Sequence, residues 1–304
     1  MKTEIQVRKK KSWYDCTAMK ILTVTCESIQ QMKAYTEAGA DEVILALKDG
    51  CFSSLHGFST EEIRKISAAN PGRTAVLMNR LFGEEEKQWA EDRLTEILPY
   101  ADAVLFSDPG LMLTVQRLHA QDHMIYRPET LLTDTKDASW WMEQGLQSVQ
   151  ISPLLTEEEI LEIARHVPQT SLQIHGRLLM SVSKRKLLQA YADIHELPSL
   201  CNQKDLFLKE ESRDGRMPIY ENAYGTLIYT DYIQESFSCM NDFMEAGICR
   251  YEIDANGMQE KEAADAIRIY HRQLDGQKED GSTYMDQYQY LPLSSGYYRQ
   301  KTVK

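Results

Sequence analysis

The segment 171–188, SLQIHGRLLMSVSKRKLL, holds the residues of this chain that are most suggestive of chemistry. A short apolar run ends at His175 and Gly176, and the basic stretch that follows contains Arg177, Lys184, Arg185 and Lys186. In an α/β protein, a strand that ends in this way and is followed by cations forms a surface that faces an anion. The alternative is a strand, a turn and an amphipathic helix whose basic face is solvated.

Three arginines follow predicted strands, namely Arg80, Arg127 and Arg177. The planar guanidinium fork binds carboxylate and phosphate with two parallel hydrogen bonds. If the strands end at one edge, these arginines together with Glu129 form a substrate-binding group for a small carboxylate or a phosphate. The alternative is that each arginine pairs with a nearby carboxylate such as Glu129 or Asp108.

Three other side chains are candidate catalytic residues. His175 is a candidate general acid or base because its unperturbed pKa lies near neutrality, although a histidine at a strand end is more often structural. Glu252 and Asp254 alternate along one predicted strand and therefore share a face. Facing inward, they would serve as acid and base or hold a divalent ion. Facing outward, they would pair with cations on the surrounding helices.

The basic stretch is also a candidate RNA-binding surface. Lys184, Arg185 and Lys186 would contact phosphates, and Tyr224, with Tyr229 and Tyr232, would offer rings on which bases stack. The alternative is a solvated helix face beside a self-packed hairpin. The formal net charge of −12 argues against broad, non-specific nucleic-acid binding but allows a local basic patch on an acidic body.

Eight strand–helix units must position these residues. The predicted strands are Ile21–Thr25, Glu42–Leu47, Thr74–Asn79, Ala103–Ser107, Met124–Tyr126, Ser148–Ser152, Ser171–Ile174 and Arg250–Ile253. Short strands that alternate with longer helices predict a single α/β domain, a (β/α)8 barrel of the TIM type. A doubly wound sheet would normally carry a glycine-rich turn after its first strand, whereas residues 25–28 here read TCES.

The regular alternation breaks once, between strands seven and eight. Residues 197–232 predict a β-hairpin insertion with a turn at Asp214 and Gly215, at the C-terminal mouth where barrel enzymes carry their chemistry. We therefore expect a flexible basic arm over residues 1–18 and the barrel with its insertion over 19–275. A polar linker and a docked C-terminal tail would follow over 276–304.

The composition excludes several classes of protein. No apolar run approaches the roughly 18 residues that span a bilayer, and the basic N-terminus has no apolar region behind it. We therefore expect no membrane segment and a cytoplasmic location. The six cysteines are scattered without a CxxC pair, which argues against a disulfide framework and a zinc site, so we expect no metal site.

Several segments together resemble the collagenase-like peptidase family of unknown catalytic type, the thirty-second of its series. They are EAGADEVILALKDGCFSSLHGFSTEEI, WWMEQGLQSVQISPLLTEEEI, IHGRLLMSVSKRKLL, RDGRMPIYENAYGTLIYTDYI and the terminal SSGYY. Their order and spacing carry the resemblance over nearly the whole chain from Met19. Despite the family's name, the resemblance implies a role in RNA modification: relatives install a 5-hydroxyl on the wobble uridine of tRNA with prephenate as a co-substrate.

The resemblance also implies a 4Fe–4S cluster held by four cysteines. In this chain the first two positions fall at Leu179 and Lys186, and only Cys201 and Cys239 lie near the third and fourth. Two thiolates do not hold a cluster that needs four ligands. We therefore expect no cofactor in this chain alone, with the cluster in a partner, a cysteine-complete paralogue.

The expected function is tRNA wobble-uridine 5-hydroxylation, as a partner subunit of that paralogue. One rival is a collagenase-like protease, although GxSxG and HExxH motifs are both absent. A second rival is a non-catalytic scaffold that binds a small carboxylate or RNA. A third is a barrel lyase or aldolase, for which Lys48 is the one lysine near a strand end.

Overall fold

The computed structural model describes residues 20–54, 56–211 and 215–300, so the predicted arm over 1–18 lies outside it. Eight parallel strands close into a barrel in the order β1-β13-β7-β6-β5-β4-β3-β2. Numbered along the whole chain, they are β1 (Ile21–Cys26), β2 (Glu42–Ala46), β3 (Arg73–Met78), β4 (Ala103–Phe106), β5 (Met124–Tyr126), β6 (Ser148–Ile151), β7 (Thr170–His175) and β13 (Arg250–Ile253). The predicted (β/α)8 barrel is confirmed.

Helices connect the strands and cover the outside of the barrel. They are α1 (Ile29–Ala38), α2 (Thr60–Ala69), α3 (Lys87–Ile97), α4 (Leu111–Leu118), α5 (Thr135–Glu143), α6 (Glu157–His166), α8 (Met240–Ala246) and α9 (Glu260–Leu274). Ser59 with Glu62 and Thr156 with Glu159 form capping boxes, which satisfy backbone N–H groups that the first helical turn leaves free. Local sequence therefore fixes where α2 and α6 begin.

The interior of the barrel is apolar on one side and polar on the other. Strands β2 to β5 supply an apolar cluster made of Ile44, Ala46, Cys51, Ala75, Leu77, Ala103, Leu105 and Ile125. The opposite side, from β6 through β13 to β1, carries buried polar residues such as Gln150, Glu252 and Thr25. The polar side of the barrel interior therefore contains the side chains that could take part in a reaction.

An ion-pair network closes the N-terminal end of the barrel. Glu42, at the start of β2, accepts hydrogen bonds from Arg73 Nε (3.1 Å) and from Nη2 of Arg250. Glu42 and Arg250 are both buried. Barrel enzymes carry their chemistry at the opposite, C-terminal end, so we assign this ion-pair network to the stability of the fold.

The insertion between β7 and β13 is larger than the predicted hairpin. It contains β8 (Leu179–Ser183), α7 (Leu187–Ile194), β9 (Phe207–Lys209), β10 (Arg216–Asn222) and β11 (Gly225–Tyr229), and the strands form an antiparallel sheet in the order β8-β11-β10-β9. The inserted sheet extends beyond the predicted span of 197–232, because β8 pairs with β11 more than 40 residues later. The predicted turn near Asp214 falls between β9 and β10, and residues 212–214 lie outside the described ranges.

A buried glutamate ties α7 to the inserted sheet. Glu221, on β10, is fully buried and accepts hydrogen bonds from the backbone N–H groups of Leu188 (2.8 Å) and Gln189 (3.0 Å). It also accepts one from Thr226 Oγ1 (2.6 Å). A carboxylate at this position satisfies free N–H groups of the helix and opposes the positive end of its dipole.

The C-terminal segment packs against the barrel through aromatic side chains. Helix α10 (Ser282–Gln287) and strand β14 (Leu293–Ser294) belong to it, and β14 pairs in parallel with β12 (Ile233–Gln234). Tyr284, Tyr288 and Tyr298 are buried. Within the described residues, no helix is both long and apolar enough to cross a membrane.

Candidate functional site at the barrel mouth

Arg127 lies at the centre of a buried polar cluster inside the barrel. It follows β5 directly and is only 3% exposed. Its Nη2 donates to Glu252 Oε1 (2.8 Å) and its Nη1 donates to Glu129 Oε1 (3.2 Å). Gln150 Nε2, from β6, donates to the other oxygen of Glu252 (2.7 Å). These bonds join β5, β6 and β13 across the lumen, so Glu252 faces inward.

Asp254 completes the acidic side of this cluster. Its Oδ1 accepts hydrogen bonds from Thr25 Oγ1 (3.0 Å), from Asn256 Nδ2 (2.7 Å) and from the Asn256 backbone N–H (3.1 Å). Asp254 is also close enough to Arg127 for the two charges to interact. We call Arg127, Glu129, Gln150, Glu252 and Asp254 the lumen cluster.

The lumen cluster contains three carboxyl groups and one guanidinium. Burial raises the pKa values of Glu129, Glu252 and Asp254, and Arg127 opposes this rise for each of them. Burial disfavours the charged guanidinium too, but the surrounding carboxylates outweigh this effect and raise the pKa of Arg127. One of these carboxyl groups can therefore hold a proton. Because three carboxyl groups surround one guanidinium, an anionic ligand placed beside the cluster would be repelled.

The backbone at Glu129 is held in an uncommon conformation. Its φ is 59°, in the left-handed region that residues other than glycine seldom adopt. This turn directs the carboxylate toward Asn79, whose Nδ2 donates to Glu129 Oε1 (2.6 Å) and to Ser53 Oγ (2.9 Å). Strain of this kind concentrates at functional sites, where surrounding contacts maintain it.

Each of the three arginines in the predicted group binds a partner within the protein. Arg80 pairs with Glu86 and donates from Nη1 to the carbonyl oxygen of Asp49 (2.7 Å). Arg177 donates from Nη1 to the carbonyl oxygen of Thr230 (2.6 Å), and burial lowers its pKa. The alternative interpretation, in which arginines pair with nearby carboxylates, describes Arg127 and Arg80.

The inserted sheet covers the mouth above the lumen cluster. Leu179 and Leu227 pack against Phe52 in an apolar cluster. Tyr229 donates its hydroxyl to the carbonyl oxygen of Ser53 (2.8 Å), and Asn222 Nδ2 donates to the carbonyl oxygen of Phe52 (2.9 Å). The loop between β2 and α2 is therefore the part of the barrel to which the insertion attaches.

Tyr224 belongs to this attachment. Its hydroxyl donates to Asp49 Oδ1 (2.6 Å), and the guanidinium of Arg80 lies 4.3 Å from the centre of its ring. Burial and the bond to Asp49 raise the pKa of Tyr224 to about 12. Arg80 therefore occupies one face of the ring, and the RNA-stacking role of Tyr224 stays a prediction.

The other predicted RNA-binding residues lie at the edge of the mouth. Lys184, Arg185 and Lys186 are exposed and occupy the turn between β8 and α7. Lys184 Nζ donates to the carbonyl oxygen of Leu81 (3.2 Å), just beyond β3. Lys48, the lysine that an aldolase would need, is exposed to solvent rather than desolvated within the barrel.

His175 lies outside the barrel lumen. Its ring is fully buried among Phe237, Tyr270 and Tyr284, with Nδ1 3.2 Å from the Tyr270 hydroxyl and Nε2 3.4 Å from the Tyr284 hydroxyl. Burial lowers its pKa to about 3. A neutral histidine enclosed by aromatic rings, apart from Arg127 and its partners, is a structural residue in this arrangement, and we do not retain it as a catalytic candidate.

The depressed pKa of His175 predicts a stability that depends on pH. Because the unfolded chain takes up a proton near pH 6.5 and the folded chain does so only near pH 3, stability should fall as the pH drops through this window. At pH 5 the loss should be about 2 kcal/mol. Urea unfolding of wild type and of His175→Gln at pH 7.5 and 5.0 measures it. Parallel pH dependences for the two proteins would contradict the prediction.

At three of the four cluster-ligand positions, the residues do not fit a 4Fe–4S cluster. Leu179 is packed against Phe52, Lys186 is a solvated cation, and Cys239 is buried beside Ser238, with the two side-chain heteroatoms 3.7 Å apart. Burial raises the pKa of the Cys239 thiol to about 12, which disfavours the thiolate that iron binds. Over the described part of the chain, no group of three or more His, Cys, Asp or Glu residues is arranged to hold a metal ion.

Sequence reasoning identified all four charged members of the lumen cluster but missed its amide, Gln150, and the neighbouring Ser53. Gln150 gave a usable signal, because it is a large polar residue in a short strand whose residues are all buried. Ser53 gave none, because it lies in a loop whose path depends on the insertion.

Comparison with known proteins gives a consistent family. The model of peptidase family U32 matches residues 27–303. The tRNA hydroxylation protein P2 of Bacillus subtilis (strain 168) is 22% identical over 267 residues, which are 84% of this chain and 85% of that protein. The tRNA hydroxylation protein P of Escherichia coli (strain K12) is 36% identical over 97 residues, 30% of this chain and 20% of that protein. Among solved structures, a phosphoribosylanthranilate isomerase from Thermotoga maritima is 12% identical with a TM-score of 0.46, covering 85% of this chain and 100% of that one.

Proposed function

The chain belongs to peptidase family U32, and from this premise we propose that it acts in the hydroxylation of tRNA, at the 5-position of the wobble uridine. The observation that carries the proposal is the similarity to a tRNA hydroxylation protein over 84% of this chain and 85% of that protein. The match to the family model, over residues 27–303, includes most of the barrel, the insertion and the C-terminal segment. The proposed location is the cytoplasm, where tRNA is modified.

The lumen cluster supports a role for this chain at the site of chemistry. It lies at the C-terminal end of the barrel strands, where (β/α)8 enzymes act, and its buried carboxyls can exchange protons with a bound ligand. Glu252 and Glu129 are the two groups that we assign to this task, and Arg127 positions both. Peptide hydrolysis has no comparable support, because the partners of His175 among the described residues are aromatic side chains rather than a serine or cysteine.

We further propose that a cysteine-complete paralogue is the partner of this chain. Leu179 and Lys186 replace two cluster ligands, so an iron–sulfur centre requires a second polypeptide. We also assign prephenate to the partner's side of the reaction. With three carboxyl groups around one arginine, the lumen cluster here would repel a dianion rather than bind it.

Deletion of the gene followed by mass spectrometry of tRNA nucleosides tests the proposed function. We expect 5-hydroxyuridine derivatives to disappear in the deletion strain and to return when the wild-type gene is supplied. A plasmid carrying Glu252→Gln should fail to restore them, whereas one carrying Lys136→Ala, a change on the outer face of α5, should succeed. Unchanged 5-hydroxyuridine derivatives in the deletion strain would refute the proposed function.

A further inference from the structure

Helix α7 turns its apolar side toward solvent. Four apolar residues are spaced so that they lie on one side of the helix, namely Leu187, Ala190, Tyr191 and Ile194. Leu187 is 45% exposed, Tyr191 51% and Ile194 76%, and Ala190 is exposed as well. In a globular protein, an apolar stripe of this kind normally faces the core. We call these four residues, which face away from the core, the α7 stripe.

The opposite side of α7 is the side that packs on the insertion. Ala192 is buried, and Leu188 and Gln189 are half-buried. The backbone N–H of Leu187 donates to Thr226 Oγ1 (3.0 Å), on β11, which holds the start of the helix against the inserted sheet. The sheet therefore covers one side of α7, and the residues that the structure describes leave the α7 stripe open.

The other described helices do not carry a comparable stripe. Four of them, α1, α4, α5 and α10, have one large apolar side chain each that is exposed, namely Ile29, Leu113, Trp140 and Met285. The remaining described helices have none. Single exposed apolar residues are ordinary on a protein surface, whereas contiguous groups of them mark interaction sites. The α7 stripe is therefore a candidate protein interface.

The charges at the two ends of α7 are the reverse of what its dipole favours. Exposed cations precede the helix and exposed carboxylates lie at its end, namely Lys184, Arg185, Lys186, Asp193 and Glu196. The helix dipole favours carboxylates at the start of a helix and cations at its end. Helix α6 follows this preference, with Glu157–Glu159 in its first turn and Arg165 and His166 in its last. A partner that brings the opposite charges would compensate both ends of α7.

A second copy of α7 that runs antiparallel brings those charges. Leu187 and Ile194 are equally distant in sequence from the middle of the α7 stripe. The same is true of Arg185 and Glu196. Around a two-fold axis through the middle of the stripe, each residue meets its counterpart on the other copy, so apolar residues meet apolar residues and each guanidinium meets a carboxylate. A parallel arrangement would instead bring like charges together.

We propose that two copies of this chain pair through the α7 stripe, with the two helices antiparallel. An apolar centre that contains an aromatic residue and is flanked by charged groups has the composition of a protein interface. The stripe is small, so the dimer dissociates on dilution. The pairing stands apart from the proposed function, because no residue of the lumen cluster takes part in it.

Sedimentation equilibrium of the full chain tests the pairing through its charges. Between about 1 and 200 µM, the mean mass should rise from that of one chain toward that of two, as a small interface predicts. Arg185→Glu and Glu196→Arg should each weaken the dimer about tenfold, because each places like charges opposite one another. An equimolar mixture of these two variants should pair as wild type does, since every carboxylate then faces a guanidinium.

A second pair of variants tests the apolar contact. Tyr191→Ser/Ile194→Ser should weaken the dimer at least about 100-fold, because it removes two side chains from the centre of the interface. The matched control is Leu113→Ser/Leu131→Ser, which removes two apolar side chains that are exposed on the barrel, and it should pair as wild type does. Circular dichroism shows whether each variant is folded.

Four results would overturn the pairing. They are the mass of a single chain at every concentration, an equal loss in the stripe variant and its control, a mixture of charge variants that does not recover, and a stripe that binds the cysteine-complete paralogue while this chain alone stays single. The last result would assign the α7 stripe to the paralogue. Each of them leaves the loss of 5-hydroxyuridine in the deletion strain, which tests the proposed function, unaffected.

Discussion

Arg127→Met should lower the free energy of unfolding by about 3–5 kcal/mol, because it leaves the buried carboxyl of Glu252 without its guanidinium. Gln150 alone would then remain as a hydrogen-bond donor to Glu252, and Asn79 alone to Glu129. The size of the loss follows from burial: Glu252 is 3% exposed and cannot turn toward water. Urea unfolding of wild type and variant at pH 8 measures the difference.

The same variant has a predictable dependence on pH. Arg127 opposes the rise that burial causes in the pKa values of Glu129 and Glu252, so removing it should raise both further. A carboxyl group whose pKa is higher in the folded than in the unfolded protein lowers the stability of the fold, fully so above the folded pKa. This loss of stability shrinks as the pH falls from the folded pKa toward the unfolded one. The deficit should therefore be smaller at pH 5.5 than at pH 8.

A double variant separates the charge from the packing. Arg127→Met/Glu252→Gln removes both members of the ion pair and should regain most of the lost stability, since replacing a buried pair together is far less costly than breaking it. A loss below about 1 kcal/mol for Arg127→Met, or a deficit that grows on acidification, would show that the lumen cluster does not hold its charges as described.

The barrel was predictable from the sequence because its signals are local. Ser59 with Glu62 and Thr156 with Glu159 mark two helix starts within a few residues, and short apolar runs precede each helix. The strand-end positions of Arg127, Glu129 and Glu252 then follow from the parallel barrel, since the strands deliver their C-terminal residues to one end. These residues could be placed together without any tertiary information.

The insertion and the partners of the arginines depended on contacts distant in sequence. The extent of the insertion is set by the pairing of β8 with β11, whose partner residues are more than 40 positions apart in the sequence. Arg177 comes two residues after β7, which places it against the carbonyl oxygen of Thr230 and away from Arg127. Only the folded insertion shows that Arg80 lies over one face of the Tyr224 ring while Phe207 remains exposed.

Glu42→Ala should also cost about 3–5 kcal/mol, at the opposite end of the barrel and with a different pH dependence. The substitution leaves Arg250, which is 4% exposed, as a buried cation without its carboxylate, whereas Arg73 is 18% exposed and can turn toward solvent. A guanidinium does not titrate in the accessible range, so the deficit should be the same at pH 5.5 and at pH 8. If the loss of stability were instead smaller at pH 5.5 than at pH 8, the unpaired buried charge would be a carboxylate rather than the guanidinium of Arg250.

Paired compensating variants then separate stability from function. Glu42→Ala/Arg250→Met and Arg127→Met/Glu252→Gln should both recover most of their stability, because each removes a buried ion pair as a unit. In a deletion strain, the first pair should restore 5-hydroxyuridine in tRNA, since it changes the N-terminal end of the barrel. The second should not, since it removes charged groups from the end where barrel chemistry occurs. Restoration by both pairs, at matched protein levels, would mean that the lumen cluster only stabilises the fold.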